Sequence, residues 1–320
     1  MTTTFRNLTD LQKHFNSEQV CREFLEQARW NGNVICPHCG INKKPYRIKD
    51  GNRFKCSDKD CGKKFSAISG TIFENTKLPL QKWFLAIYLV SAHKKGISSL
   101  QLGRDLGISP KSAWFVLHRV REMLRENNPL LLQGTVAIDE TYIGGKEANK
   151  HQTPAKIKKR LGTRKNFKGR PLDKAAVLGL VQEGGNLVHQ VLPSTKKSSI
   201  YPVIEKHVAK GSTMVTDEWN TYRALTKHGY EHKSVMHKLN IYVKDGFHTN
   251  TIEGAFSLLK RGIIGIYHSV SPKHLQRYCD EFSYRYNTRT KTEADRFGHS
   301  ITQAHGRRLT YNQLIKKVTL

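Results

Sequence analysis

Thr135-Val136-Ala137-Ile138-Asp139-Glu140-Thr141-Tyr142-Ile143 is the stretch that decides the fold of the second half of this chain. It alternates and is rich in β-branched residues, which predicts a β-strand. An acid, Asp139, follows its apolar core directly. Downstream, Ala175 to Val181 and Leu187 to Leu192 flank Gly184-Gly185-Asn186 and are expected to pair as a hairpin. Ser198-Ser199 is expected to cap a helix running to about Val208. Thr213-Met214-Val215-Thr216-Asp217 reads as a fourth strand, again with an acid after its apolar core. A helix is expected from near Asn250, and it carries Glu253.

Three strands, a helix, a strand and a helix make the order of a ribonuclease H-like domain. In that order the first and fourth strands can lie side by side, so Asp139 and Asp217 can meet, and the last helix can bring in Glu253. Thirty-five residues lie between Asp217 and Glu253. Lys260 follows Glu253 by seven positions. At about 100° per residue the two share a helix face two turns apart, which suits one metal ligand and one phosphate contact. Asp139-Glu140 and Asp217-Glu218 are tandem acids, and adjacent strand residues face opposite ways. Asp139 and Asp217 are chosen because each directly follows an apolar core; Glu140 and Glu218 stand in reserve. His248 and Asn250 precede Glu253 and either support the site or only begin the helix, with Asn250 as its cap. Carboxylates converging from separate elements can hold two divalent ions for phosphoryl chemistry.

The chain has 320 residues, long enough for two or three domains, and 38% hydrophobic content that supports real cores. Its net charge of +28 marks a polyanion binder. Nucleic acid, an anionic membrane or an acidic protein each fits that charge alone, and the acidic triad selects nucleic acid. The longest apolar run, Trp83 to Val90, is far short of the roughly 20 residues needed to span a bilayer. The N-terminus has no apolar signal core. A cytoplasmic, nucleoid-associated protein is expected.

Cys36-Pro37-His38-Cys39 and Cys56-Ser57-Asp58-Lys59-Asp60-Cys61 stand sixteen residues apart. A C-x2-C and a C-x4-C pair can each turn two thiolates towards one ion. Between them, Pro45 to Lys49 and Arg53 to Lys55 read as strands joined at Asp50-Gly51. A domain this small needs its metal to fold. Cys36, Cys39, Cys56 and Cys61 are therefore expected to hold a structural Zn2+, with no open position for chemistry. Lys43, Lys44, Lys63 and Lys64 make the ribbon either a DNA-contacting module or an ordinary solvated face. Cys21 and Cys279 are expected as core residues.

From Leu80 to Arg125 the pattern is helical. Ser98 or Ser99 can cap a helix that ends near Leu106 at Gly107; Ser109 caps a second with Pro110 at its first position. This is the helix-turn-helix plan, with the second helix as the reader. Lys111, Ser112, Trp114, His118 and Arg119 are its candidate DNA face. Between Lys146 and Arg170 ten Lys or Arg stand against one acid, Glu147. That segment reads as a basic loop along a phosphate backbone, with Lys158, Lys159, Arg160, Arg164 and Lys165 as contacts. The fold expected is α+β and multi-domain: an N-terminal helical segment (1–30), a zinc ribbon (31–70), a helix-turn-helix domain (71–128), a ribonuclease H-like α/β catalytic domain with a mixed sheet (129–295, basic insertion 146–170) and a C-terminal tail (296–320).

The four cysteines, the run Thr76 to Phe84, Lys95 to Leu102, Asp139 to Gly145, Thr216-Asp217-Glu218 and His248 to Glu253 together resemble a DDE transposase of bacterial insertion sequences. The resemblance is to the group with an N-terminal zinc ribbon, and it covers about residues 15 to 295. Ala255-Phe256-Ser257 departs from it, where a bulkier aromatic pair is expected; the departure touches packing and not the carboxylates. The resemblance implies cleavage of double-stranded DNA at element ends and strand transfer with two Mg2+ or Mn2+ ions. It implies that Asp139 bridges both ions while Asp217 and Glu253 each hold one. Pairing two ends implies at least a dimer. A DNA-binding regulator with an inactive nuclease-like domain, and an endonuclease that does not join strands, are the alternative readings.

Overall fold

The computed structural model describes residues 5–126, 130–144, 174–217, 220–235, 243–244 and 247–316. They divide into two compact units, Met1–Glu126 with Asn287–Leu320, and Asn127–Tyr286.

The first unit opens with α1 (Leu8–His14) and α2 (Glu18–Trp30), capped by the Asn7 and Ser17 side chains. β1 (Tyr46–Arg47), β2 (Phe54–Lys55) and β3 (Lys64–Phe65) form a small antiparallel sheet. The β1–β2 hairpin turns at Asp50-Gly51 as the sequence predicts; β3 is an addition too short to show a period. α3 (Leu80–Ala92) is apolar almost all round and buried accordingly. α4 (Ser99–Leu106) starts at the Ser98 cap and stops at Gly107, whose left-handed φ of 60° suits a residue without Cβ. α5 (Pro110–Leu124) starts at the Ser109 cap with Pro110 in its first turn.

The second unit is a five-stranded mixed sheet in the order β6-β5-β4-β7-β8. Its strands are β4 (Thr135–Ile143), β5 (Ala175–Gln182), β6 (Leu187–Leu192), β7 (Thr213–Thr216) and β8 (Glu231–Ser234). β4, β5 and β6 are antiparallel neighbours, while β7 runs parallel to β4 and β8 parallel to β7. The first and fourth strands are thus adjacent, as the element order predicts. β8 is an edge strand, and Glu231-His232-Lys233-Ser234 carries no apolar alternation that would betray it.

Each sheet face has its own core. On one face Val136, Ile138, Leu178, Leu180 and Met214 pack with Ile200, Tyr201 and Ile204 of α6 (Lys197–His207) and with Tyr222 and Leu225 of the 3-10 segment Asn220–His228. α6 begins earlier than Ser198-Ser199 suggests: its N-cap is Lys196, and Ser199 Oγ instead meets Ser194 Oγ at 2.8 Å. On the other face Ala137, Val181, Leu187 and Val215 pack with Ile252, Ala255 and Phe256 of α7 (Asn250–Gly262). A hairpin of β9 (Val243–Lys244) and β10 (Phe247–His248) precedes α7. The N-cap of α7 is Thr249, one residue before Asn250. α7 continues into a π-helical turn, Ile263–Tyr267, which is followed by α8 (Pro272–Asn287).

The chain then rejoins the first unit. α9 (Glu293–Thr302), capped by Thr292, and α10 (Tyr311–Ile315), with its capping box at Thr310, group with it. Phe297 meets Phe84 at 5.4 Å and Phe5 at 5.5 Å between ring centroids, and Arg296 donates to the Ser91 carbonyl at 2.8 Å. The stretch expected as a tail therefore supplies core to the first unit.

Candidate active site

Strand alternation sorts the tandem acids. Ala137 pairs with Val215 across the parallel β4–β7 edge, and both side chains pack on the α7 face. Asp139 lies two residues further along β4, and Asp217 directly follows the end of β7; continued by the two-residue period, both fall on that same face. Asp139 Oδ1 accepts from the Glu140 amide at 2.7 Å. Glu140 turns the other way and accepts a hydrogen bond from the buried Tyr222 hydroxyl. Burial pushes the Glu140 carboxyl up to about 8; the Tyr222 bond opposes this, and the charges of Asp139 and Asp217 add to it. The same two charges help hold the Tyr222 hydroxyl above its ordinary range, after burial and Glu140. Both aspartates therefore raise the proton affinity of the Glu140–Tyr222 pair.

Glu253 is exposed on the first turn of α7, and Thr249 Oγ1 lies 3.4 Å from its Oε1. Asp139, Glu140, Thr141, Glu253, Phe256, Ser257, Lys260, Arg261, Ile264 and Gly265 line a cavity of about 570 Å3. Glu253 and Lys260 therefore share a face, as their spacing predicts. Arg261 joins this lining beyond the residues expected from sequence, although the Lys260-Arg261 doublet is visible there.

The depth at which α7 sits comes from β5. Gly179 is the Cα partner of Asp139. A Cβ built on it would lie 2.4 Å from Ile252 Cδ1 and 2.7 Å from Phe256 Cζ, so only a bare backbone admits the helix this close. A lone Gly inside Ala175 to Val181 was a readable signal of such an approach.

The other candidates divide. Lys111 is exposed, and its Nζ lies 5.4 Å from the Tyr311 ring centroid. Ser112 is exposed and Trp114 half-buried, whereas His118 is fully buried. Arg119 corrects the expected DNA face. Its guanidinium is buried, donates to the Glu74 carbonyl at 2.7 Å and lies over the Trp83 and Phe115 rings. It belongs to the core because its turn of α5 faces inward with Val116 and Val120. Lys158, Lys159, Arg160, Arg164, Lys165 and the reserve Glu218 lie outside the described residues.

In the first unit the four ligand sulfurs of Cys36, Cys39, Cys56 and Cys61 lie within 4.8 Å of one another. Cys36–Cys61 and Cys39–Cys56 are 3.8 and 3.6 Å apart. Zinc–sulfur bonds of about 2.3 Å in a tetrahedron require sulfurs about 3.8 Å apart, so this quartet fits zinc. Among the described residues it is the one group of three or more potential ligands that close together. Cys21 and Cys279 are buried apart from it, as expected.

Residues 131–287 match the family model of an ISXO2-like transposase domain, and residues 16–64 that of a transposase zinc-ribbon domain. A relative from Halobacterium salinarum, described as an uncharacterized protein in transposable element ISH50, is 30% identical over 284 residues. The match covers 85% of this chain and 92% of that relative. No helix among the described residues is long and apolar enough to cross a membrane.

Proposed function

The chain belongs to the ISXO2-like transposases with a zinc ribbon, and on that premise we propose that it binds the terminal inverted repeats of an insertion sequence and cuts and joins DNA there with Asp139, Asp217 and Glu253. The observation that carries this reading is the parallel pairing of β4 with β7 up to Ala137 and Val215, two residues before Asp139 and Asp217, on the face that α7 packs against, with Asp139, Glu253 and Lys260 lining one cavity. The sheet order, antiparallel for three strands and parallel for the next two, supports a ribonuclease H-like assignment.

Three carboxylates offer hard oxygen donors, which suit Mg2+ or Mn2+ and not a thiophilic metal. Ions held there would stabilise charge on phosphoryl oxygens and lower the pKa of the attacking hydroxyl. The chain's own part is to hold the DNA. Lys260 and Arg261, on the next turns of the same helix, orient the phosphate over the acids. The α4–α5 pair supports a helix-turn-helix reading, with Lys111 on the exposed first turn of the second helix as a DNA contact. The basic insertion 146–170, with Lys158, Lys159, Arg160, Arg164 and Lys165, is assigned to flanking or target DNA on its charge. The working complex would be at least a dimer acting on the nucleoid.

Labelled element ends, a target plasmid and the purified chain, with Mg2+ and with chelator, test this. Metal-dependent joining is expected. Asp139→Asn, Asp217→Asn and Glu253→Gln should each lower it by at least about a hundred-fold, the size of losing a few kcal/mol of charge stabilisation, while end binding persists. Full activity in any of the three would refute the triad. Cutting without joining would make the chain an endonuclease, and binding alone a regulator.

A further inference from the structure

We propose that Ile264 is a wedge that enters the DNA base stack beside the phosphate held by Lys260 and Arg261. This rests on the reading that the acidic cavity takes DNA. Ile264 is 70% exposed and lines that cavity. Its exposure is not looseness, because both sides of it are anchored. Ile263 is buried, the Tyr267 hydroxyl donates to the buried Glu281 at 2.8 Å, and the Tyr267 ring packs edge-on against Tyr278 at 4.7 Å. The segment between is the π-helical turn that ends at His268, a non-glycine residue at φ 57°. Single π turns are rare and recur at functional sites. Here the wider turn projects an apolar side chain among charged ones.

Gly265 is the second observation. Glycine is a poor residue inside a helix. Among the described residues nothing lies within 4 Å of where its Cβ would be, and its φ is not in the left-handed region. Neither its backbone nor packing among the described residues calls for glycine, so the clearance beside Ile264 suits the close approach of a ligand. The neighbouring cations attract a phosphate backbone, and what lies next to a phosphate in a duplex is a base step. Apolar side chains inserted at such steps unstack them. Opening the step would let the scissile phosphate reach the carboxylates that line the cavity.

The test uses the full chain and end duplexes with 2-aminopurine beside the scissile phosphate, either fully paired or mismatched at that step. Wild type should raise the fluorescence of the paired duplex on binding; Ile264→Ala should not. Ile264→Ala should cut the paired duplex about ten-fold more slowly and come within about two-fold of wild type on the mismatched one. Ile264→Leu should behave as wild type, which separates a lost wedge from a damaged fold. An Ile264→Ala defect equal on both duplexes, no defect at all, or no fluorescence rise with wild type would overturn the wedge. A wild type that cuts neither duplex would overturn the transposase reading itself, and the wedge with it.

Discussion

Gly179 and Ile252 meet where the sheet receives α7: a Cβ on Gly179 would stand 2.4 Å from Ile252 Cδ1. Asp139 is the strand partner of Gly179, and Glu253 is the residue after Ile252. One missing side chain therefore lets α7 pack close to the sheet beside two of the three proposed catalytic carboxylates.

Gly179→Ala is expected to push α7 outward. Overpacking of this kind costs about 1–3 kcal/mol, partly offset by the gain of about 0.5–1 kcal/mol from replacing glycine in a strand. Metal-dependent joining should fall more than ten-fold, since a displacement of about 1 Å suffices for such losses. End binding through the first unit should be unchanged. Joining at the wild-type rate would show that the depth of α7 does not govern the site.

Zinc removal is expected to unfold the ribbon, and Trp30 reports it. Its ring packs edge-on against Phe54 at 5.5 Å and Phe65 at 6.0 Å. Chelation or Cys36→Ser should shift tryptophan emission, and the shift should vanish in Trp30→Phe. Stripped protein with an unaltered spectrum would mean that the sheet stands without its metal.

Arg119 and Lys111 should separate stability from DNA binding. Arg119→Ala removes a buried charged donor and is expected to cost about 1–3 kcal/mol, read as a lower urea midpoint. Lys111→Ala, on an exposed position, should change stability by no more than about 0.5 kcal/mol. It should reduce the salt slope of end binding by about one. An Arg119→Ala variant of normal stability but weak binding would return Arg119 to the DNA face.

His189 should make the second unit sensitive to acid. Burial holds its imidazole down at about 4 instead of 6.5. Ser283 Oγ meets Nδ1 at 3.2 Å, and Nε2 has no partner among the described residues. Between pH 6.5 and 4 the unfolded chain takes up a proton that the folded chain refuses. Stability is therefore complete above about pH 6.5 and falls as pH drops through that window, by up to about 3 kcal/mol. Urea midpoints at pH 7.5 and 5.0 should differ less in His189→Gln than in wild type. Equal differences would show that His189 does not set the slope.

The sequence by itself determined the local features. Ser98, Gly107, Ser109 and Pro110 mark the ends of α4 and α5 because capping is chemistry between near neighbours. The apolar alternation of Thr135 to Ile143 and Thr213 to Thr216 marked two strands, and the cysteine spacing marked a zinc ribbon that the family match bears out. The seven-residue step from Glu253 to Lys260 fixed a shared face by helix geometry alone. The tertiary structure decided what depends on distant partners. It buried Arg119 under Trp83, Phe115 and the Glu74 carbonyl, contacts up to 45 residues away. It gave Phe297 to the first unit's core and turned Glu140 towards Tyr222, 82 residues on. It also brought α7 down onto Gly179. Composition and period record which face of an element is apolar, but not which other element will cover it, because that is settled only when the whole chain packs.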